Sequence, residues 1–162
     1  MATLGFDDQF QCVQLSDGSI IKLRVMDTAG QEKFNAINES YYKQADCCLL
    51  VYDITSMDSF KSIKNYYIKK IKEKCNSGLK VILLGNKTDL KDERQVSDDN
   101  GKDLAEKNGY MFMESSCKDN YNVSDAFTAL VEMTNNEINK RNNNNSISID
   151  KDDNNNTNSS CC

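Results

Sequence analysis

The stretch Leu79-Lys80-Val81-Ile82-Leu83-Leu84-Gly85-Asn86-Lys87-Thr88-Asp89 opens as a nearly continuous apolar run and ends in four polar residues. A run this short, without helical periodicity, predicts a parallel strand covered on both faces. Two further runs read the same way, Cys47 to Ile54 and, shorter, Tyr110 to Met113. Between them the spacing is helical. Phe60, Ile63, Tyr67 and Ile71 share one face, with Asp58 suiting the first turn, and Ala126, Phe127, Leu130 and Val131 begin a last helix expected to reach about Ile138. Upstream, Phe10 to Leu15 and Ile20 to Met26 flank Asp17-Gly18, a dipeptide that favours tight hairpin turns. Strands alternating with helices after an opening hairpin predict an α/β fold, with a mostly parallel sheet and one antiparallel hairpin.

Composition narrows the chemistry. The 162 residues contain no histidine, tryptophan or proline. Nucleophile pairs and metal centres that need an imidazole as base or ligand are therefore excluded. A formal net charge of -5 argues against binding to nucleic acid, which takes a basic face, but leaves room for a single nucleotide. The seven cysteines form no CxxC pair, so a four-cysteine zinc site has no support and reduced thiols are expected. Cys47 and Cys48 read as small buried hydrophobes inside their strand. From Asn142 the chain turns to Asn, Ser and Asp, too polar to offset its ordering entropy. The expected organisation is an ordered domain over residues 1–140 and a disordered tail over 141–162, ending in Cys161-Cys162. Packing gives no reason for that terminal pair, which reads either as chance or as a lipid acceptor on a flexible stalk.

Three polar clusters each follow a strand: Asp27-Thr28-Ala29-Gly30-Gln31-Glu32, Asn86-Lys87-Thr88-Asp89 and Glu114-Ser115-Ser116-Cys117-Lys118. Ligands of open α/β sheets bind outside the carboxyl ends of strands. In that order, the clusters resemble those of the Ras superfamily of small GTPases, and within it the Rab family. The resemblance runs from Thr3 to about Ile138 and resumes at Cys161-Cys162. It is carried also by Thr3-Leu4-Gly5-Phe6-Asp7, Lys22-Leu23-Arg24-Val25-Met26-Asp27, Lys33-Phe34-Asn35-Ala36-Ile37, Tyr41-Tyr42-Lys43 and Leu50-Val51-Tyr52-Asp53-Ile54-Thr55. Met26 stands where the family has tryptophan, and Cys117 where it has alanine.

The resemblance implies GTP, GDP and Mg²⁺ as ligands. Asp89 would accept hydrogen bonds from the N1 and N2 donors of guanine, a pair that adenine lacks. Asn86 would brace the loop, the stems of Lys87 and Lys118 would cover the base, and Ser115 and Cys117 would complete its pocket. Asp27 and Thr3 would hold Mg²⁺, with Thr3 and Gly30 also sensing the γ-phosphate. Gln31 would be the catalytic residue, orienting the attacking water. Phe34, Tyr41 and Tyr42 read as core at helical spacing, while the resemblance makes this surface the one that reports nucleotide state to effectors; for Tyr41 and Tyr42 the two readings weigh equally.

The family opens with a strand, GxxxxGK[ST] and a helix, and none of the chain's seven glycines forms that pattern. The resemblance thus implies an N-terminally truncated domain. In it, phosphate grip and hydrolysis collapse while base recognition stays encoded, and the strands at Met26 and Cys47 lose a shared neighbour. Three readings follow: a GTP/GDP switch in vesicle trafficking, a non-catalytic binding module, or a non-functional truncated product. Expected partners are Rab effectors, exchange and activating proteins, a prenylation escort protein and a GDP-dissociation inhibitor. Two geranylgeranyl chains on Cys161 and Cys162 would anchor the protein to the cytoplasmic face of an intracellular or plasma membrane, with a cytosolic pool.

Overall fold

A computed structural model describes residues 7–27 and 42–149. Among these, two sheets form. Strands β1 (Asp7–Gln14) and β2 (Ile20–Asp27) pair antiparallel, from Asp7 opposite Asp27 to Gln14 opposite Ile20. Strands β3 (Cys47–Asp53), β4 (Lys80–Asn86) and β5 (Met111–Glu114) form a parallel sheet with β4 in the centre. The α/β class and the mixture of hairpin and parallel sheet match the sequence reading.

The central position of β4 accounts for its composition. Val81 and Leu83 join the core beneath the helices that follow β3 and precede β5, whereas the alternate residues Ile82 and Leu84 are buried on the opposite face. The strand β3 departs from expectation. Its inner positions Leu50 and Tyr52 are buried, yet Val51 is 48 % exposed, so β3 is not covered on both faces. The physical reason is position. Among the described residues β3 is an edge strand, hydrogen-bonded only to β4, and β2 is not paired with it. Cys47 and Cys48 are accordingly half-buried, and Cys48 packs against the core with its thiol pushed up to about 12 by desolvation.

The helix after β3 is interrupted. Helix α1 (Met57–Ser62) passes through a π-helical turn at Ile63–Tyr67 into α2 (Ile68–Lys74). The extra residue of the π turn lets both Ile68 and Ile71 follow Phe60 and Ile63 into the core. Ser56 caps α1 by accepting from the Ser59 N–H.

Helix α3 (Asp98–Asn108) has no counterpart in the sequence reading. It buries only Gly101, Leu104 and Ala105, too few apolar side chains to set up a visible period. Its ends carried the signal instead: Ser97 accepts from Asn100 N, Asp98 and Asp99 sit in the first turn, and Gly109 closes it with φ 68°.

Helix α4 (Val123–Ile149) runs past Ile138, the last apolar residue of its expected face. It packs on β3, β4 and β1, and joins the hairpin to the parallel sheet. Val131 meets Val13 and Leu15 there, and Glu132 accepts the Ser16 N–H at 3.0 Å. The hairpin connection is longer than a two-residue turn. Leu15 N–H donates to Ser19 O and Gly18 N–H to Leu15 O, with Gly18 at φ 84° and Asp17 accepting from Ser19.

Tyr52 is the largest side chain in the centre of the core, stacked edge-on against Phe60 with ring centroids 5.0 Å apart. Two glycines make room for it: a Cβ at Gly85 would lie 2.9 Å from its hydroxyl, and one at Gly101 would lie 2.6 Å away. That hydroxyl finds no hydrogen-bond partner among the described residues, and burial raises its pKa. An unmade buried hydrogen bond is costly. Tyr52→Phe is therefore expected to gain about 1 kcal/mol in urea unfolding; a loss of that size would mean that the hydroxyl is bonded.

Candidate nucleotide-binding site

The carboxyl ends of β4 and β5 carry two loops that bond to each other. After β4, the Thr88 N–H and hydroxyl both donate to the Ser115 carbonyl, each at 3.1 Å, and the Ser115 N–H donates to Gly85 O at 2.8 Å. In return, Asn86 Oδ1 accepts the Ser115 hydroxyl at 3.2 Å and the Cys117 N–H at 3.3 Å. Asn86 thus ties the end of β4 to the loop after β5. Asp89 Oδ1 accepts the Ser116 hydroxyl at 2.7 Å, and Ser116 Oγ in turn accepts the Asp119 N–H at 3.1 Å.

These bonds set the electrostatics of Asp89. The Ser116 hydroxyl holds its carboxyl below the usual carboxylate range against the opposing push of desolvation, and Lys118 and Lys87 add to the effect. Asp89 is therefore ionised at neutral pH and acts only as an acceptor. Its Oδ2 lies 3.8 Å from Lys118 Nζ, on a lysine that is 74 % exposed. The Asp89 side chain is itself 9 % exposed, and the exposed lysine holds Oδ2 only weakly, which leaves this oxygen to a ligand that brings N–H donors.

Lys87 ties the loop after β4 to the end of β3 through its ammonium group. Its backbone is left-handed, φ 72°, which a lysine rarely adopts. Its ammonium lies 2.6 Å from Asp53 Oδ2 at the end of β3. Asp53 Oδ1 meanwhile accepts the Thr55 N–H and hydroxyl at 2.8 and 2.7 Å. Burial alone would raise Asp53, but the bonds from Lys87 and Thr55 outweigh it and hold the carboxyl low. The ion pair fastens the end of β3 to the loop after β4.

The structure thus brings Asn86, Lys87, Asp89, Ser115, Cys117 and Lys118 together at the ends of β4 and β5. Asp27 ends β2, opposite Asp7. Thr3, Gly30, Gln31, Phe34, Tyr41, Cys161 and Cys162 lie outside the described residues. Tyr42 is half-buried, and desolvation pushes its hydroxyl up to about 12, with Tyr67 as the next contributor. Three contributors were not singled out from sequence. Ser116 lay inside a quoted cluster and could have been found from its hydroxyl. Thr88 and Asp53 act through partners distant in the chain.

An acidic acceptor stands beside an asparagine at the carboxyl ends of a parallel sheet, where ligands of α/β folds bind, and sequence comparison supplies the class. The Ras family profile matches residues 1–136, and the chain belongs to that family as a Rab-type small GTPase. Ras-related protein Rab-8B of Bos taurus is 42 % identical over 143 residues, which cover 88 % of this chain and 68 % of that protein. Ras-related protein Rab-8A of Rattus norvegicus is 42 % identical over 141 residues, covering 87 % of this chain and 67 % of its own.

Proposed function

We propose that this chain is a guanine-nucleotide-binding switch of vesicle traffic, held at a membrane by lipid on Cys161 and Cys162. The observation that carries the nucleotide reading is the second oxygen of Asp89. One carboxylate oxygen is fixed by Ser116, so the other is presented by a set loop rather than a mobile side chain. Guanine offers N1–H and N2–H to such a carboxylate; adenine offers an acceptor at N1 and leaves the carboxylate unpaired. Cys117, whose N–H already meets Asn86, and the Lys118 stem would lie beside the base.

The rest of the ligand set is a proposal from the family. Thr3 and Asp27 would hold Mg²⁺, which supplies charge neutralisation at the phosphates, and Gly30 would approach the γ-phosphate. Gln31 would orient water for hydrolysis. Effectors, exchange and activating proteins, a prenylation escort and a GDP-dissociation inhibitor would be its partners, at a cytoplasmic membrane face and in a cytosolic pool.

The alternative reading is a binding module of the same family that recognises the base and hydrolyses nothing. Titrating the isotope-labelled chain with GDP and ADP tests the base site under both readings. GDP is expected to shift the Ser116 and Cys117 amide resonances while ADP leaves them in place. An equal response to the two nucleotides, or none to either, would sink the assignment. GTP turnover by the same sample separates the switch from the module.

A further inference from the structure

The chain is acidic as a whole, yet one surface is strongly basic. Between Met57 and Lys74 stand Lys61, Lys64, Lys69, Lys70, Lys72 and Lys74 against only Asp58 and Glu73. This helical segment therefore carries +4 in a chain of -5, which leaves -9 on the remainder. The fold turns the charge outward. Phe60, Ile63, Ile68 and Ile71 face the core, whereas Lys61, Lys64, Lys69 and Lys72 are exposed. The two acids neutralise little, because Lys61–Asp58 and Lys69–Glu73 are 3.8 Å pairs open to water. Tyr66 lies among the lysines, itself exposed, with the Lys70 ammonium 5.6 Å above its ring.

We propose that this α1–α2 face docks on an anionic lipid surface. Charge complementarity selects the partner class, and three observations select lipid over an acidic protein. First, the exposed charge on this helix is carried by lysines, and lysine is depleted from protein interfaces, whose cores use aromatic and arginine anchors in pockets. A membrane asks only for charge density, and clusters of four to eight basic residues on an amphipathic helix suffice. Second, Tyr66 adds the amphipathic ring that suits a headgroup region. Third, the remaining -9 is repelled by such a surface, so the molecule can approach it in one orientation only. The tail cannot supply this attraction. From Glu137 to Cys162 it has Lys140, Arg141 and Lys151 against Glu137, Asp150, Asp152 and Asp153.

The test uses the full 162-residue chain made in bacteria, without attached lipid, sedimented with vesicles of phosphatidylcholine alone or with phosphatidylserine added. Binding is expected to the acidic vesicles only and to fall as salt rises. Changing Lys61, Lys64 and Lys69 to Gln should weaken it by about 100-fold. The same change at Lys91, Lys102 and Lys107, elsewhere on the surface, should leave most of it. The salt response of the unaltered chain needs no variant, and circular dichroism checks that the variants fold. Equal binding to neutral vesicles would overturn the proposal. So would undiminished binding by the first variant, an equal loss in the second, or capture by polyglutamate without capture by acidic vesicles.

Discussion

Asp89→Asn is expected to cost at least about 100-fold in affinity for guanine nucleotides and to transfer preference to xanthine nucleotides. The argument is a count of donors and acceptors. Ser116 donates to Asp89 Oδ1 at 2.7 Å, and an asparagine can keep that bond with its own carbonyl oxygen. Its amide nitrogen then stands where Oδ2 stood, and a donor meets the N2 donors of guanine. Xanthine carries a carbonyl at that position and accepts the amide. Because the Ser116 bond survives, the variant should unfold at the same urea concentration as the parent, which separates recognition from stability. Asp89→Ala should lose both bases. Competition between GDP and XDP for the two variants measures this, and an asparagine variant that still prefers GDP would remove Asp89 from the base site.

What the sequence showed and what it hid follow from the range of the interactions. The strand β4 was legible because burial on both faces writes a continuous run, Val81 to Leu84, that needs no knowledge of its neighbours. The base loop was legible because Asn86 and Asp89 are three residues apart. Helix α3 was hidden because its packing face is made partly of Gly101, whose Cβ would strike the Phe112 ring at 2.4 Å. Close approach of a backbone writes no apolar period. Nor could local reading foresee that Lys87 would turn to Asp53, since the ion pair depends on β3 and β4 lying side by side with Asp53 opposite Asn86. The exposure of Val51 has the same origin: a strand reads as buried or edge only when its neighbours are known.

Arg94→Ala is expected to cost about 3 kcal/mol of unfolding free energy and to loosen the base site as well. Arg94 lies just beyond a short turn at Lys91–Glu93 and grips Glu114 with both guanidinium nitrogens, Nη1 to Oε1 at 2.7 Å and Nη2 to Oε2 at 2.9 Å. Nη1 also donates to the carbonyl of the fully buried Val96 at 3.1 Å. The two side chains are 25 % and 18 % exposed, so the pair sits between the surface and the interior cases. Removing the arginine leaves a largely covered carboxylate and a carbonyl without their donor, which costs more than the pair itself contributes. Glu114 ends β5 immediately before Ser115, and its carbonyl holds Asn122 Nδ2 at 2.9 Å, so the disturbance reaches the loop that carries Ser116 and Cys117. The comparison that isolates the mechanism is the double replacement Arg94→Met with Glu114→Leu. With no charge left unpaired, it should restore most of the stability, to within about 1 kcal/mol of the parent. Urea unfolding of parent, single and double variants decides the matter: if the double variant is as unstable as the single one, the loss is one of packing, and the stranded carboxylate is not its cause.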